Sequence, residues 1–119
     1  MSLELIFDTL VSFGLKLLEA QIYIFLAKKG PHRGKDIAKA LKITKQQLYP
    51  ALKNLKEKGI VNSTSKRPAL FSAEPIEKVL TMFMESRTQE IQSIVQRKEK
   101  LLSNWHKIKE SNPKKVGLK

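Results

Sequence analysis

The sequence predicts a mostly α-helical fold that carries one small β-hairpin and a long C-terminal helix. Three observations lead there. Two short amphipathic segments meet at a tight connection around residues 42–44, two runs of β-forming residues flank a basic tip at 66–68, and neither Gly nor Pro occurs between Pro75 and Pro113. A length of 119 residues fits one domain with an extension rather than a two-domain enzyme. The expected bounds are 1–74 for the domain, 75–110 for the C-terminal helix and 111–119 for a disordered basic tail.

Leu3, Ile6, Phe7, Leu10 and Val11 fall at helical spacing before Gly14, which marks the end of a first short helix. Leu18, Ile22, Phe25 and Leu26 define a second, which closes on Lys28-Lys29-Gly30-Pro31: cations in the last turn, Gly just past it, then Pro. A third helix of two turns spans about 33–41 around Ile37, Ala38 and Leu41. Lys42-Ile43 then leads to Thr44, an N-cap with Gln47 three residues on, the spacing of a capping box.

The fourth helix, 45–58, buries Leu48, Ala51, Leu52 and Leu55 and stops at Gly59. Pro50 would be its sixth residue and removes the bond to the Gln46 carbonyl, so the helix is expected to start a turn later or to have a bent first turn. Helices three and four together make a helix-turn-helix. Ile60–Ser65 and Ala69–Ala73, on either side of Lys66-Arg67-Pro68, read as a hairpin of open turn type. The whole is a winged helix-turn-helix with its wing at 62–68.

From Pro75 to about Lys109 a helix of some 35 residues follows, on the order of 50 Å at ~1.5 Å per residue. Alternating steps of four and three mark a seam of Leu80, Met84, Arg87, Ile91, Ile94, Lys98, Leu101, Trp105 and Ile108. Its apolar members, Leu80, Met84, Ile91, Ile94, Leu101, Trp105 and Ile108, predict a two-stranded coiled coil and so a homodimer. Arg87 and Lys98 interrupt the seam, weakening it or setting its register. The competing reading is a helix that folds back on its own domain or breaks into two.

Lys and Arg number 23 against 11 Asp and Glu, a net charge of +12 that points to a polyanionic partner. The absence of Cys excludes disulfides, thiolate metal sites and cysteine nucleophiles, and two His offer little to a metal; no metal or cofactor is expected. Phosphate-loop, dinucleotide-binding, zincin and serine-hydrolase signatures are absent and the carboxylates are scattered, so no catalytic residues are assigned and no enzyme is expected. No basic n-region opens the chain, and Glu4, Asp8, Lys16 and Glu19 interrupt its most apolar stretch. A cytoplasmic protein without membrane contact is expected.

The charge is concentrated. Residues 28–67 hold twelve Lys or Arg against Asp36 and Glu57, so most of these cations lack the acidic i,i+4 partners of an ordinary solvated helix face. Setting the apolar side of the fourth helix at 0°, with about 100° per residue, Tyr49, Lys53, Gln46 and Pro50 fall between about 100° and 200°. Lys45 shares that outward face, and Gln47 lies near its edge. Gln pairs bidentately with adenine in the major groove and Lys reaches guanine or phosphate, which makes Gln46 and Gln47 candidate readers and Lys45 and Lys53 candidate contacts. A capping role for Gln47, and a half-buried ring beside the hairpin for Tyr49, are the competing assignments. His32, Arg33 and Lys35 at the start of the third helix, Thr44 at the start of the fourth, and Ser65, Lys66 and Arg67 at the hairpin tip suit backbone phosphates or the minor groove.

Phe13-Gly14-Leu15, Glu19-Ala20, Gly30-Pro31, Asp36-Ile37-Ala38, Leu48-Tyr49-Pro50-Ala51-Leu52, Leu55, Lys58-Gly59-Ile60-Val61 and Arg67-Pro68, with Phe71 and Pro75, resemble the TrmB-like winged helix-turn-helix family over about residues 13–80. The resemblance implies a prokaryotic, typically archaeal, transcriptional regulator that binds double-stranded DNA as a dimer. Lys16 and Arg33 stand where that family often has a small or hydroxyl residue, which weakens local capping. The Leu-Tyr-Pro-Ala-Leu run also resembles PadR regulators, which dimerise through a C-terminal helix. Longer TrmB-like members carry a sugar-binding effector domain for which 119 residues leave no room, so sugar sensing is not carried over and any effector is unknown. The alternatives are an architectural DNA-binding protein without base readout, and a protein-interaction module of the transcription machinery.

Overall fold

The computed structural model describes residues 3–110; the tail expected at 111–119 lies outside them. Along the chain run α1 (Leu3–Ser12), α2 (Leu17–Lys29), β1 (His32–Arg33), α3 (Gly34–Leu41), α4 (Lys45–Glu57), β2 (Val61–Ser63), β3 (Leu70–Ala73) and α5 (Ile76–Glu110). The chain divides into two compact units between Thr81 and Met82, inside α5.

In the first unit the breaks fall where backbone chemistry demands them. α2 ends as Gly30 turns to φ 85°, and its N–H donates to the Leu26 carbonyl at 2.9 Å. Between α3 and α4 the left-handed residue is Lys42, at φ 56°, and the next N–H, of Ile43, closes on the Ala38 carbonyl at 3.0 Å. Of the two outcomes weighed for Pro50, the late start does not occur: helix begins at Lys45, directly after the Thr44 cap, and continues through Pro50. The capping box holds the first turn, while Pro50 withholds one N–H further along.

The wing is broader than a hairpin. β1 joins it to form an antiparallel sheet of order β1-β3-β2, with His32 opposite Phe71, Arg33 opposite Leu70 and Val61 opposite Ala73. The added strand has only two residues, too short for any alternation to show in sequence. Across the mouth of the wing loop, the Thr64 N–H donates to the Leu70 carbonyl and the Leu70 N–H to Thr64 Oγ1, both at 3.0 Å. The Arg67–Pro68 bond within that loop is cis.

Ile22, Leu26, Ile37, Leu48, Leu52, Leu55, Ile60 and Val79 are buried and form the core. Each such side chain stabilises the fold by about 1.5–3 kcal/mol relative to exposure. Tyr23 is buried with them because its hydroxyl has a destination: it donates to the Glu74 carbonyl at 2.6 Å. Glu74 in turn accepts from Lys78 Nζ at 2.7 Å, and that ammonium, with Asn62, holds its carboxyl below the usual range.

The second unit is the remainder of α5. The helix is unbroken from Ile76 to Glu110, which removes the two-helix alternative. Met84, Ile91, Ile94, Leu101, Trp105 and Ile108 are exposed along it, and Leu80, in the first unit, is half-buried.

Candidate nucleic-acid interface

Sheet pairing and helix packing draw three separate stretches of sequence toward one surface. β1 carries Arg33 onto the strand that leads out of the wing loop, where it faces Leu70. The start of α3 follows directly, and against it lies the Tyr49 ring of α4: a Cβ built on Gly34 sits 2.6 Å from Tyr49 Oη. The start of α3, the first half of α4 and the base of the wing are thus neighbours.

Arg33 is the N-cap of α3 and makes no side-chain cap bond; its guanidinium lies 3.4 Å from Asp36 Oδ2, both groups exposed. Lys35 is exposed in the first turn of α3. His32 is partly buried: its Nδ1–H donates to the Gly30 carbonyl at 2.8 Å, and its ring centroid lies 4.9 Å from that of Phe25. That ring braces the end of α2 and leaves its second nitrogen for any outside contact.

At the start of α4, Thr44 Oγ1 accepts from the Gln47 N–H at 3.1 Å while Gln47 Oε1 accepts from the Thr44 N–H at 3.0 Å. Of the two competing assignments for Gln47, capping describes its side chain. Lys45, Gln46 and Lys53 are exposed on α4, as are Gln47, Tyr49, Pro50, Lys56 and Glu57. The Tyr49 ring rests on Gly34 and is 47% exposed, and with Phe71 it lines a hollow between α4 and the sheet. Ser65, Lys66 and Arg67 are exposed in the wing loop.

Two contributors escape the sequence reading. Lys56 lines, with Tyr49, Lys53 and Phe71, a hollow of about 340 Å³ between α4 and the sheet. On the helical wheel it falls at about 80°, beside Tyr49, so the signal was present. Glu19 is the other. At 2% exposure it accepts from the Lys16 N–H at 3.0 Å and from Asn54 Nδ2 at 3.2 Å, with Lys58 Nζ at 3.9 Å. A buried carboxylate on α2 thereby fixes the far half of α4, which sets where the outward face of that helix points. The bond to the Lys16 N–H is local and places Glu19 at the start of α2, but its burial rests on Asn54 and Lys58, which lie 35 and 39 residues away.

The surface is a cationic face with hydroxyl and amide groups. Among the described residues no cluster of His, Asp or Glu is placed to hold a metal ion. No described helix is long and apolar enough to cross a membrane.

Comparison with known proteins agrees with this geometry. Residues 10–77 match the family described as sugar-specific transcriptional regulator TrmB. Over 103 residues the chain is 29% identical to the HTH-type sugar sensing transcriptional regulator TrmBL1 of Pyrococcus furiosus, covering 87% of this chain and 30% of that protein. Among solved structures it shares its fold with TrmBL2, an archaeal chromatin protein, at a TM-score of 0.72 and 22% identity over 93% of this chain and 45% of that one. A transcriptional regulator from Thermotoga maritima superposes with a TM-score of 0.54 at 21% identity, over 86% of this chain and 79% of the other. The chain therefore spans less than half the length of TrmBL1 and TrmBL2. With the family match running over residues 10–77, more than half of its length, the chain belongs to the TrmB family of transcriptional regulators.

Proposed function

We propose that the chain is a sequence-reading DNA-binding regulator that acts as a homodimer. α4 enters the major groove and presents Gln46 to base edges, with Lys45 and Lys53 beside it. Arg33 and Lys35 at the start of α3, and Ser65, Lys66 and Arg67 in the wing, hold the backbone on either side. The apolar seam of α5 pairs two subunits, so that two half-sites are read together. One observation carries the reading: the exposed polar face of α4 lies beside the cationic start of α3 and the base of the wing, joined through Gly34–Tyr49 and Arg33–Leu70.

A second reading is favoured by the likeness to an archaeal chromatin protein and by the net charge of +12. In it the same surface binds duplex DNA without base readout. Fluorescence anisotropy on a random-sequence duplex across a salt series, followed by selection from a randomised library, separates the two. Steep salt dependence with an enriched motif of two half-sites is the expected result. Steep dependence without enrichment supports the architectural protein, and no binding at near-physiological salt overturns both.

A further inference from the structure

Two cations in the seam of α5 restrict how a second copy can lie on it. Within the second unit the seam has eight positions, from Met84 to Ile108, and all are exposed. Met84, Ile91, Lys98 and Trp105 follow at seven-residue steps, as do Arg87, Ile94, Leu101 and Ile108, so the two series are the a and d positions of a heptad. Val95 and Leu102, also apolar and exposed, stand at e, one residue past d. Glu90 and Arg97 stand at g, one residue before a.

A parallel, in-register pair sets each seam residue on its own copy. Arg87 then faces the partner's Arg87 and Lys98 the partner's Lys98, two like-charged layers inside the contact. On the flanks e lies beside g, so Val95 meets the partner's Glu90 and Leu102 the partner's Arg97. Each apolar flank residue meets a charge.

An antiparallel pair sets a on d and e on e instead. Centred between Gln92 and Ser93, it puts Arg87 on the partner's Lys98. Centred on Gln89, or between Glu99 and Lys100, it leaves seam positions at one end of the coil without a seam partner. Centred on Gln96, every position is matched and no two seam cations meet. Met84 lies on the partner's Ile108 and Ile91 on the partner's Leu101, both apolar pairs. Arg87, whose guanidinium lies 3.7 Å from Glu90 in its own helix, falls on the partner's Trp105, and an indole face attracts a guanidinium. Lys98 lays its stem along the partner's Ile94 with its ammonium in water. On one flank Val95 packs on the partner's Val95; on the other, Arg97 meets its own copy at the wet rim, where salt screens the repulsion.

We propose that α5 pairs with α5 of a second copy antiparallel, about a two-fold axis at Gln96, and that Arg87 and Lys98 set this orientation by excluding the parallel one. The proposal rests on the reading of α5 as the dimer seam. The two helices then enter the coil from opposite ends, with the two Met84 residues about 36 Å apart along it.

The test uses the full chain. It has no Cys, so a thiol introduced into the seam is the only one present. I91C and L101C are purified separately, mixed in equal amounts at a concentration where sedimentation equilibrium shows dimer, and oxidised in a glutathione buffer. The expected product is a disulfide between the two variants, at least about tenfold more abundant than that of either variant with itself, because the two copies of position 91 lie about 15 Å apart along the coil, beyond disulfide reach. V95K keeps every a and d residue and sets lysine on lysine. Its dimer dissociation constant should rise at least about threefold at ~0.15 M salt, and further as salt is lowered.

A disulfide of I91C with itself in preference to the mixed product means parallel pairing and overturns the proposal. So does a V95K dimer that tightens as salt is lowered, the sign expected if the new lysines meet Glu90. A dimer in which neither the variants nor their mixture form a disulfide lies in another register and overturns it as well. A wild-type chain that sediments at 13.6 kDa throughout removes the α5 pairing itself, a failure distinct from a wrong orientation.

Discussion

The Tyr49 hydroxyl occupies the space that a side chain at position 34 needs: a Cβ on Gly34 lies 2.6 Å from Tyr49 Oη and 3.2 Å from its Cε1. Glycine stands there for close approach, since Gly34 is helical and has no positive φ to accommodate. Gly34→Ala is expected to push the half-exposed ring off α3. The stability change stays within about 1 kcal/mol, because the ring swings into solvent and Ala favours helix. Affinity for duplex DNA should fall several-fold. Thermal melting and anisotropy check the two halves; undiminished affinity places Tyr49 outside the interface.

Glu19 and Asn54 join α2 to α4 through a partly buried hydrogen bond of 3.2 Å. Glu19→Ala leaves the Lys16 N–H and the Asn54 amide without their acceptor and should cost about 2–4 kcal/mol in chemical denaturation. Asn54→Ala should cost less, since the carboxylate keeps Lys16 and Lys58. A double-mutant cycle between positions 19 and 54 is expected to give a coupling of about 1–2 kcal/mol. A coupling near zero means the two residues act separately on α4.

These contacts show where sequence reading stops. The helices were legible because local patterns define them: the apolar spacing of Leu48, Ala51, Leu52 and Leu55, the Thr44–Gln47 box and the glycines at 30 and 59 are all written within a few residues. β1 was not, because two residues show no period and His32 and Arg33 become a strand only by pairing with Phe71 and Leu70. Pro50 left a late start and a bent first turn both open, and the helix starts at Lys45, directly after its cap. At the candidate site the outward residues of α4 followed from the wheel, whereas Glu19 and Gly34 owe their roles to partners remote in sequence. Tyr23 is a further case, an aromatic whose burial depends on a carbonyl 51 residues away.

Tyr23 also sets a pH dependence. Burial, with the nearby Glu77 and Glu74 carboxylates, raises its pKa from 10.0 to about 12. Below pH 10 the phenol is protonated in both folded and unfolded chains, and its contribution is fully present. As pH rises from 10 to about 12 the unfolded chain loses the proton first, so stability falls, by on the order of 2–3 kcal/mol across the window. Tyr23→Phe removes the titration along with the bond to the Glu74 carbonyl. It should be about 1 kcal/mol less stable at neutral pH and lose less stability between pH 10 and 12. Urea denaturation at a series of pH values measures both; parallel curves for the two proteins refute the assignment.

Gln46 and Gln47 are adjacent, alike and exposed, and Gln47 is engaged in the cap of α4. Gln47 Oε1 is held by the Thr44 N–H at 3.0 Å, so Gln47→Ala should cost stability of about 0.5–1.5 kcal/mol and leave base preference unchanged. Gln46→Ala should do the opposite, sparing the melting temperature and narrowing the affinity gap between a selected site and random duplex by about 1–3 kcal/mol. Lys53→Ala differs from both: if its ammonium neutralises a phosphate, it weakens binding to every sequence and flattens the log–log salt slope by ~0.9 per subunit. Competition anisotropy with selected and random duplexes at several salt concentrations resolves the three patterns. Loss of specificity from Gln47→Ala with Gln46→Ala silent means that the capping turn opens on DNA and that Gln47, released from Thr44, is the reader.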